Sequence, residues 1–220
     1  MTRTLLRSET PVTLVGGGPV DAARLGEALG LAPTAVAADG GADMALPAPH
    51  RFRAVVGDMD SLRDRASLEA AGVEVHEVAE QDSTDLEKCL YSMVAPLFIG
   101  LGFLGGRLDH TLAAISALRA RPDTPTVLMG EADLCFLCPA RLEIDLPAGA
   151  RVSLYPLAPV RGVTGEGLRW SIAGLEMAPG GRIGTSNAAA GGPVRIAFDA
   201  REVLVILPAD QLGAAVAALA

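Results

Sequence analysis

The chain has 220 residues, half of them apolar and a fifth charged, enough to bury one large core or two small ones and too apolar for disorder. A net charge of −8 with no basic run argues against nucleic acid as a main partner. An acidic surface suits a cationic small molecule, although many proteins are acidic.

No membrane partner is expected, because the most apolar stretch, Met93 to Gly106, is broken by Pro96, Gly100 and Gly102 and is too short to span a bilayer. The N-terminal segment Met1-Thr2-Arg3-Thr4-Leu5-Leu6-Arg7 is not followed by a signal-peptide apolar stretch, so the expected compartment is the cytoplasm.

Residues 1–130 alternate strand and helix signals, the mark of a parallel α/β sheet. A strand from Val12 to Val15 ends in Gly16-Gly17-Gly18-Pro19, and a helix from Asp21 to Leu29 follows. The second strand, Thr34 to Ala38, ends at Asp39-Gly40-Gly41. The third, Ala54 to Val56, runs through Gly57-Asp58 into a helix opened by Ser61, which has capping-box spacing to Asp64. The fourth, Val73 to Val78, precedes a helix from Thr84 to Ala95, with Thr84 and Glu87 forming a second capping box. The fifth, Leu97 to Phe103, leads through Gly105-Gly106-Arg107 into a helix reaching Arg119, and Thr126 to Met129 is a sixth strand.

Beyond Gly130 the texture changes to short β-rich runs separated by glycine and proline: Leu134 to Leu137, Leu142 to Leu146, Arg151 to Leu157, Val194 to Phe198 and Val203 to Leu207. Residues 209–220 read as a short amphipathic helix. The expected architecture is α/β, with an N-terminal Rossmann-like parallel α/β/α domain (1–130) followed by a C-terminal β-sandwich (131–220). Cys135 and Cys138 form a C-x-x-C. On a strand, however, residues three apart point to opposite faces, and no histidine has zinc-ligand spacing, so these and Cys89 read as buried structural thiols.

Acids recur where strands end. Asp39, the pair Asp58/Asp60, the pair Asp82/Asp85 and Asp109 each follow an apolar run. In a parallel sheet those ends share an edge, where ligands bind. Converging carboxylates are costly unless a cation neutralises them, and Mg²⁺ prefers one or two carboxylates plus phosphate oxygens. Lys88 is the sole lysine, so a P-loop and the strand lysine of protein kinases are both absent. Gly16-Gly17-Gly18 is no dinucleotide fingerprint, since Asp21 stands where the third glycine belongs; it reads as a strand-to-helix turn.

Four segments stand in a fixed order: Ala38-Asp39-Gly40-Gly41-Ala42-Asp43, Gly57-Asp58-Met59-Asp60-Ser61, Asp82-Ser83-Thr84-Asp85 and Gly105-Gly106-Arg107-Leu108-Asp109-His110. A fifth joins Gly167-Leu168-Arg169-Trp170 to Gly184-Thr185-Ser186-Asn187. Together they resemble the thiamine diphosphokinase (thiamin pyrophosphokinase) family, over about Val12 to Leu207. The resemblance implies a Mg²⁺-dependent homodimer that converts ATP and thiamine to AMP and thiamine diphosphate, the thiamine hydroxyl attacking the β-phosphorus. Chemistry of this kind rests on positioning and charge neutralisation.

On that resemblance Asp58, Asp60, Asp85 and Asp109 are the metal and catalytic acids, and Arg107 is the phosphate clamp, its alternative being a surface ion pair. Asp39, Gly40 and Gly41 shape the nucleotide pocket, joined by Gly105, Gly106, Thr84, Lys88 and His110. Several alternatives stay open: helix-dipole stabilisation for Asp85, a solvated helix lysine for Lys88, and orientation of Asp109 or proton removal for His110. Asp82 reads as a helix-terminal anion or loop anchor. Trp170 is expected to stack on the cationic thiazolium across the dimer interface, its alternative being a sandwich-core tryptophan. Ser186 and Asn187 either meet the aminopyrimidine or form a plain β-turn.

Three positions depart from the family pattern: Asp43 replaces an asparagine and adds charge near the pocket, Met59 replaces a phenylalanine, and Gln81 stands where many bacterial members carry a lysine. Competing readings are a diphosphokinase for another hydroxymethyl acceptor, such as a pterin, and a non-catalytic thiamine or nucleotide sensor.

Overall fold

A computed structural model of the protein describes residues 4–44, 46 and 49–220; the first three residues of the N-terminal segment read above lie outside it. The chain divides into two compact units, one up to Glu131 and one from Ala132 to Ala220.

The first unit contains β1 (Leu6–Arg7), β2 (Val12–Val15), α1 (Ala22–Leu31), β3 (Thr34–Ala38), β4 (Phe52–Gly57) and α2 (Arg65–Ala70). It continues with β5 (Glu74–Glu77), α3 (Asp85–Ser92), β6 (Met93–Val94), β7 (Phe98–Leu101), α4 (Leu108–Ala120) and β8 (Thr126–Met129). Strands β2, β7 and β8 pair in parallel, as do β3, β4 and β5. The uninterrupted burial of β2, β7 and β8 explains their largely apolar sequences, because a parallel strand is covered on both faces. Parallel pairing also sends the loops after β2, β3, β4 and β7 to one edge, where they line a common cavity.

Two helix boundaries differ from the sequence expectation. Helix α2 is capped by Asp64, whose carboxylate accepts from the Ser67 N–H at 3.0 Å and the Ser67 hydroxyl at 2.6 Å. Ser61 does not open it, because its N–H and hydroxyl bind Asp39 and Asp60 instead. Helix α3 stops at Ser92 rather than Ala95, since Met93 and Val94 extend to pair with β1. The Thr84–Glu87 capping box is present as read.

The second unit contains β9 (Asp133–Leu137), β10 (Leu142–Leu146), β11 (Arg151–Pro156), β12 (Val160–Glu166) and β13 (Glu176–Met177). After these come β14 (Gly184–Ala188), β15 (Gly192–Phe198), β16 (Val203–Pro208) and α5 (Leu212–Leu219). One antiparallel sheet has the order β10-β15-β12-β13, and the other antiparallel run is β14-β11-β16-β9. Alternate burial along β10 gives it one covered and one open face.

Strands β12 and β14 escaped the sequence reading because glycine and small polar residues read as turns. In β12 the glycines serve close packing: a side chain at Gly162 would strike the Ile172 carbonyl. No helix among the described residues is long and apolar enough to cross a membrane.

Candidate functional site

At the carboxyl edge of the first unit lies a cavity of about 850 Å³, bounded by Gly16 to Pro19, Asp39, the Asp58–Arg63 loop, Lys88 and the Gly105-Gly106-Arg107 turn. Its floor is a group of three carboxylates. Asp39, Asp58 and Asp60 each offer an oxygen, and these oxygens lie within 4.8 Å of one another. Local backbone geometry explains how. Met59 has φ 66° and packs back onto the cluster of Ala37, Val55 and Val73, while the acids on either side of it line the cavity. The apolar residue between the two acids is thus an anchor.

Asp39 is the most constrained of the three. It sits at φ 41° on the first residue of a 3₁₀ turn, Asp39–Asp43, and is 2% exposed. A non-glycine residue held there carries backbone strain. A Cβ on Gly57 would lie 2.7 Å from the Asp39 Cβ, so that glycine is what lets the two loops meet. The Asp39 Oδ2 accepts from the Ser61 N–H at 3.2 Å, whereas its buried Oδ1 has no hydrogen-bond partner. An ionised oxygen buried without a donor is expensive, and a cation held with Asp58 and Asp60 removes that cost.

Asp58 is braced from behind. Its Oδ2 accepts from the Lys88 Nζ at 2.7 Å and the Gln81 Nε2 at 3.0 Å. The Lys88 hydrogen bond, above all, holds its carboxyl below the usual range, against the opposing effect of burial. Lys88 is 1% exposed and also reaches Asp85 Oδ1 at 3.4 Å, so it is a buried lysine and not the solvated one considered above. Burial pushes the half-buried Asp85 carboxyl up. Gln81, which stands where a cation was missing by sequence, donates an amide hydrogen to Asp58. Thr84 is occupied by capping: its N–H and hydroxyl bind Glu87 at 2.9 Å and 3.0 Å. Asp82 is exposed, and its N–H donates to Glu80 at 2.7 Å.

Gly105 and Gly106, which also line the cavity, have φ 81° and 66°, and α4 begins after Arg107 with no side-chain cap. Arg107 pairs with Asp109 through Nε at 3.1 Å and a terminal nitrogen at 2.6 Å, and this holds the Asp109 carboxyl down at about 2. His110 lines the cavity. Asp85 and Asp109 lie outside the three-carboxylate group; Asp85 shares Lys88 with Asp58, and Asp109 pairs with Arg107. Gly40 lines the cavity, whereas Gly41 is buried where a side chain would strike the Val15 carbonyl.

Sequence reading missed two contacts. Arg63 Nε pairs with Asp43 Oδ2 at 3.0 Å on the cavity wall. Glu80 organises the loop before α3, accepting from the N–H groups of Asp82 and Ser83, the Ser83 hydroxyl and the Tyr91 hydroxyl. Glu80 stands three residues before Ser83, a spacing with the signal of a local loop brace.

In the second unit Trp170 is 54% exposed, so it is not a core tryptophan. The Arg169 guanidinium lies 4.7 Å from its ring centroid. Asn187 is buried, and its Oδ1 accepts from the Trp170 N–H at 3.1 Å and the Ala188 N–H at 2.8 Å, while its Nδ2 donates to the Trp170 carbonyl at 2.7 Å. Asn187 therefore holds the tryptophan backbone. Ser186, on β14 rather than in a plain turn, has φ 60° and donates its N–H to Ser153 Oγ at 3.0 Å. The three cysteines are free and buried, and burial pushes the Cys135 and Cys138 thiols up to about 12.

Residues 26–128 match the family described as "Thiamin pyrophosphokinase, catalytic domain", and residues 141–202 match "Thiamin pyrophosphokinase, vitamin B1 binding domain". Thiamine pyrophosphokinase 1 of Oryza sativa subsp. japonica is 34% identical over 197 residues, covering 74% of this chain and 75% of that protein. Thiamine pyrophosphokinase 1 of Arabidopsis thaliana is 34% identical over 151 residues, 60% of this chain, and the match spans 57% of the Arabidopsis protein's length. Among solved structures, thiamin pyrophosphokinase from Geobacillus thermodenitrificans superposes with a TM-score of 0.74 at 24% identity, covering 90% of this chain and 96% of that one. The Candida albicans thiamin pyrophosphokinase superposes with a TM-score of 0.76 at 16% identity, covering 91% and 89%. The shared feature is a mixed α/β fold with large sheets.

Proposed function

The chain belongs to the thiamin pyrophosphokinase family, and we propose that it transfers the diphosphoryl group of ATP to the hydroxyl of thiamine, releasing AMP. In this reading the first unit is a Rossmann-like parallel α/β/α domain (1–130) that takes ATP. The second is a β-sandwich (131–220) that takes thiamine. The protein works as a homodimer, and its three buried, unpaired thiols suit the reducing cytoplasm.

The observation that carries this reading is the group of Asp39, Asp58 and Asp60 with one buried carboxylate oxygen unpartnered. These three residues would hold Mg²⁺. Bound there, Mg²⁺ would neutralise the triphosphate and polarise the phosphoryl group under attack. Lys88 and Gln81 fix the Asp58 carboxylate ahead of binding, so little reorganisation is needed. Asp85, also on the cavity, shares the Lys88 ammonium with Asp58. Arg107 and the N-terminus of α4 receive the phosphates. Asp109 orients Arg107, which leaves His110 on the cavity wall to take the proton of the thiamine hydroxyl. Trp170 offers the thiazolium the indole face that Arg169 does not cover, with Asn187 and Ser186 holding its support.

The test is product analysis. Incubated with Mg·ATP and thiamine, the purified protein should yield AMP and thiamine diphosphate, and chelation should abolish both. Formation of ADP and thiamine monophosphate instead would overturn the reaction class.

A further inference from the structure

The cavity presents a charge problem to an incoming polyphosphate. Among the described residues, five carboxylates line it, those of Asp39, Asp43, Asp58, Asp60 and Asp85, against His110 and three lysine or arginine side chains, Arg63, Lys88 and Arg107. Lys88 is already spent. Its side chain is 2% exposed and bound to Asp58 and Asp85. Among the lining cations, that leaves two guanidinium groups open to solvent: Arg107, 70% exposed, and Arg63, 84% exposed.

Arg63 and Arg107 share a design. Each lines the cavity and rests on one nearby aspartate, Arg63 on Asp43, which also lines it, and Arg107 on Asp109. Arg63 is also the closer of the two in sequence to the metal-binding acids. It is three residues beyond Asp60 on the loop that carries Asp58, so any phosphate bridged to a cation there is delivered to its neighbourhood. The contact to Asp43 engages Nε, and a guanidinium can turn its remaining donors on phosphate oxygens in a fork. An exposed pair of this kind is weak, and a polyphosphate carrying several charges displaces it. Asp43 is thus more than an added charge near the pocket. It is the anion that Arg63 must leave.

Resting on the function proposed above, we propose that Arg63 is a second binding residue for the metal-bound polyphosphate of ATP. Asp43 competes for its guanidinium in the free protein. The pair lowers the affinity for Mg·ATP by an exchange of one anion for another, and it acts on the polyphosphate rather than on the nucleoside.

A double-mutant cycle reads this competition. The Kd of Mg·ATP is measured by calorimetry at fixed salt for wild type, Arg63→Gln, Asp43→Asn and the double variant, and the Kd of AMP alongside. Arg63→Gln should weaken Mg·ATP by about fivefold, as expected for loss of an exposed charge-assisted contact. AMP binding should change by less than about twofold, because AMP lacks the metal-bridged β- and γ-phosphates. Asp43→Asn should tighten Mg·ATP by about fivefold with Arg63 present and by only about twofold with Arg63 absent, since only the first gain includes release of the guanidinium.

Equal gains in the two backgrounds would overturn the competition. Unchanged Mg·ATP affinity in Arg63→Gln, or equal weakening of ATP and AMP, would overturn the polyphosphate contact. Those failures leave wild-type Mg·ATP binding intact, whereas a wild-type protein that binds no Mg·ATP overturns the proposed function as well.

Discussion

The acid edge of the first unit and the tryptophan loop of the second solve opposite problems. At the edge Asp39, Asp58 and Lys88 are sunk and cross-braced beside the exposed Asp60: Asp39 is 2% exposed, Lys88 1%, and Asp58 carries a lysine and an amide on one oxygen. In the loop the functional side chain stands out, Trp170 being 54% exposed, and the buried polar residue is its support, Asn187. On the proposed function, the difference follows from what each would bind. Carboxylates aimed at a cation have to be kept ionised and fixed in advance, which takes partners. An indole that stacks on a cationic ring needs an open face and a firm backbone.

The sharpest way to break the contrast is at Asp58. Asp58→Asn removes a charge from the three-carboxylate group and a counterion from a buried lysine. The expected loss in kcat is on the order of a thousandfold, measured with Mg·ATP and thiamine saturating. A variant retaining more than a tenth of the activity would mean that Asp58 does not hold the metal. At Trp170 the expected effect is smaller and confined to one substrate. Trp170→Ala should raise the thiamine KM by more than about tenfold and leave the ATP KM within about twofold, with Tm nearly unchanged because the ring is exposed. Equal effects on both substrates would count against stacking.

Asn187 tests whether the loop depends on its brace. Asn187→Ala leaves the Trp170 N–H and carbonyl and the Ala188 N–H without their side-chain partner. The expected cost is about 2 kcal/mol of stability, together with a rise in thiamine KM of the same sign as Trp170→Ala but less steep. Denaturant titration gives the first quantity and steady-state kinetics the second. A drop in stability with the thiamine KM unchanged would separate the brace from recognition.

These regions were not equally legible in the sequence. Strands β2, β3, β7 and β8 were readable because full burial demands continuous apolar runs, and Thr84 and Glu87 announced their helix start by side-chain chemistry alone. Asp58 and Asp60 were readable as a pair at a strand end. Asp39 was readable as an acid converging on the same edge but not as a member of the three-carboxylate group, since that depends on a positive φ at Asp39 and on the absence of a side chain at Gly57, 18 residues later in the chain. Lys88 stood open between a phosphate contact and a solvated helix lysine, because a lone lysine on a helix carries no sign of burial. Only its distance to Asp58, 30 residues earlier, reveals the pair. In the second unit Gly184-Thr185-Ser186-Asn187 reads as a turn by composition, yet β14 pairs with β11. There the register of the partner strand decides, and no local signal carries it.

The smallest effect expected concerns the loop that leads from the acid edge into α3. The Glu80 carboxylate accepts from the Ser83 and Tyr91 hydroxyls and from the N–H groups of Asp82 and Ser83, and the Ser83 hydroxyl foremost holds its carboxyl down at about 2, against an ordinary value of 4.5. A folded-state value below the unfolded one means that the ionised form favours folding. Its contribution is complete above pH 4.5 and is lost as the pH falls from there toward 2. Glu80→Gln has no such titration. The Tm difference between wild type and Glu80→Gln should therefore be constant from pH 8 to about pH 5 and shrink below it. A difference that grows on acidification would mean that the carboxylate does not brace this loop. Because Glu80 is exposed, the effect belongs to the loop that positions Gln81 against Asp58. A modest fall in kcat with little change in either KM should accompany it.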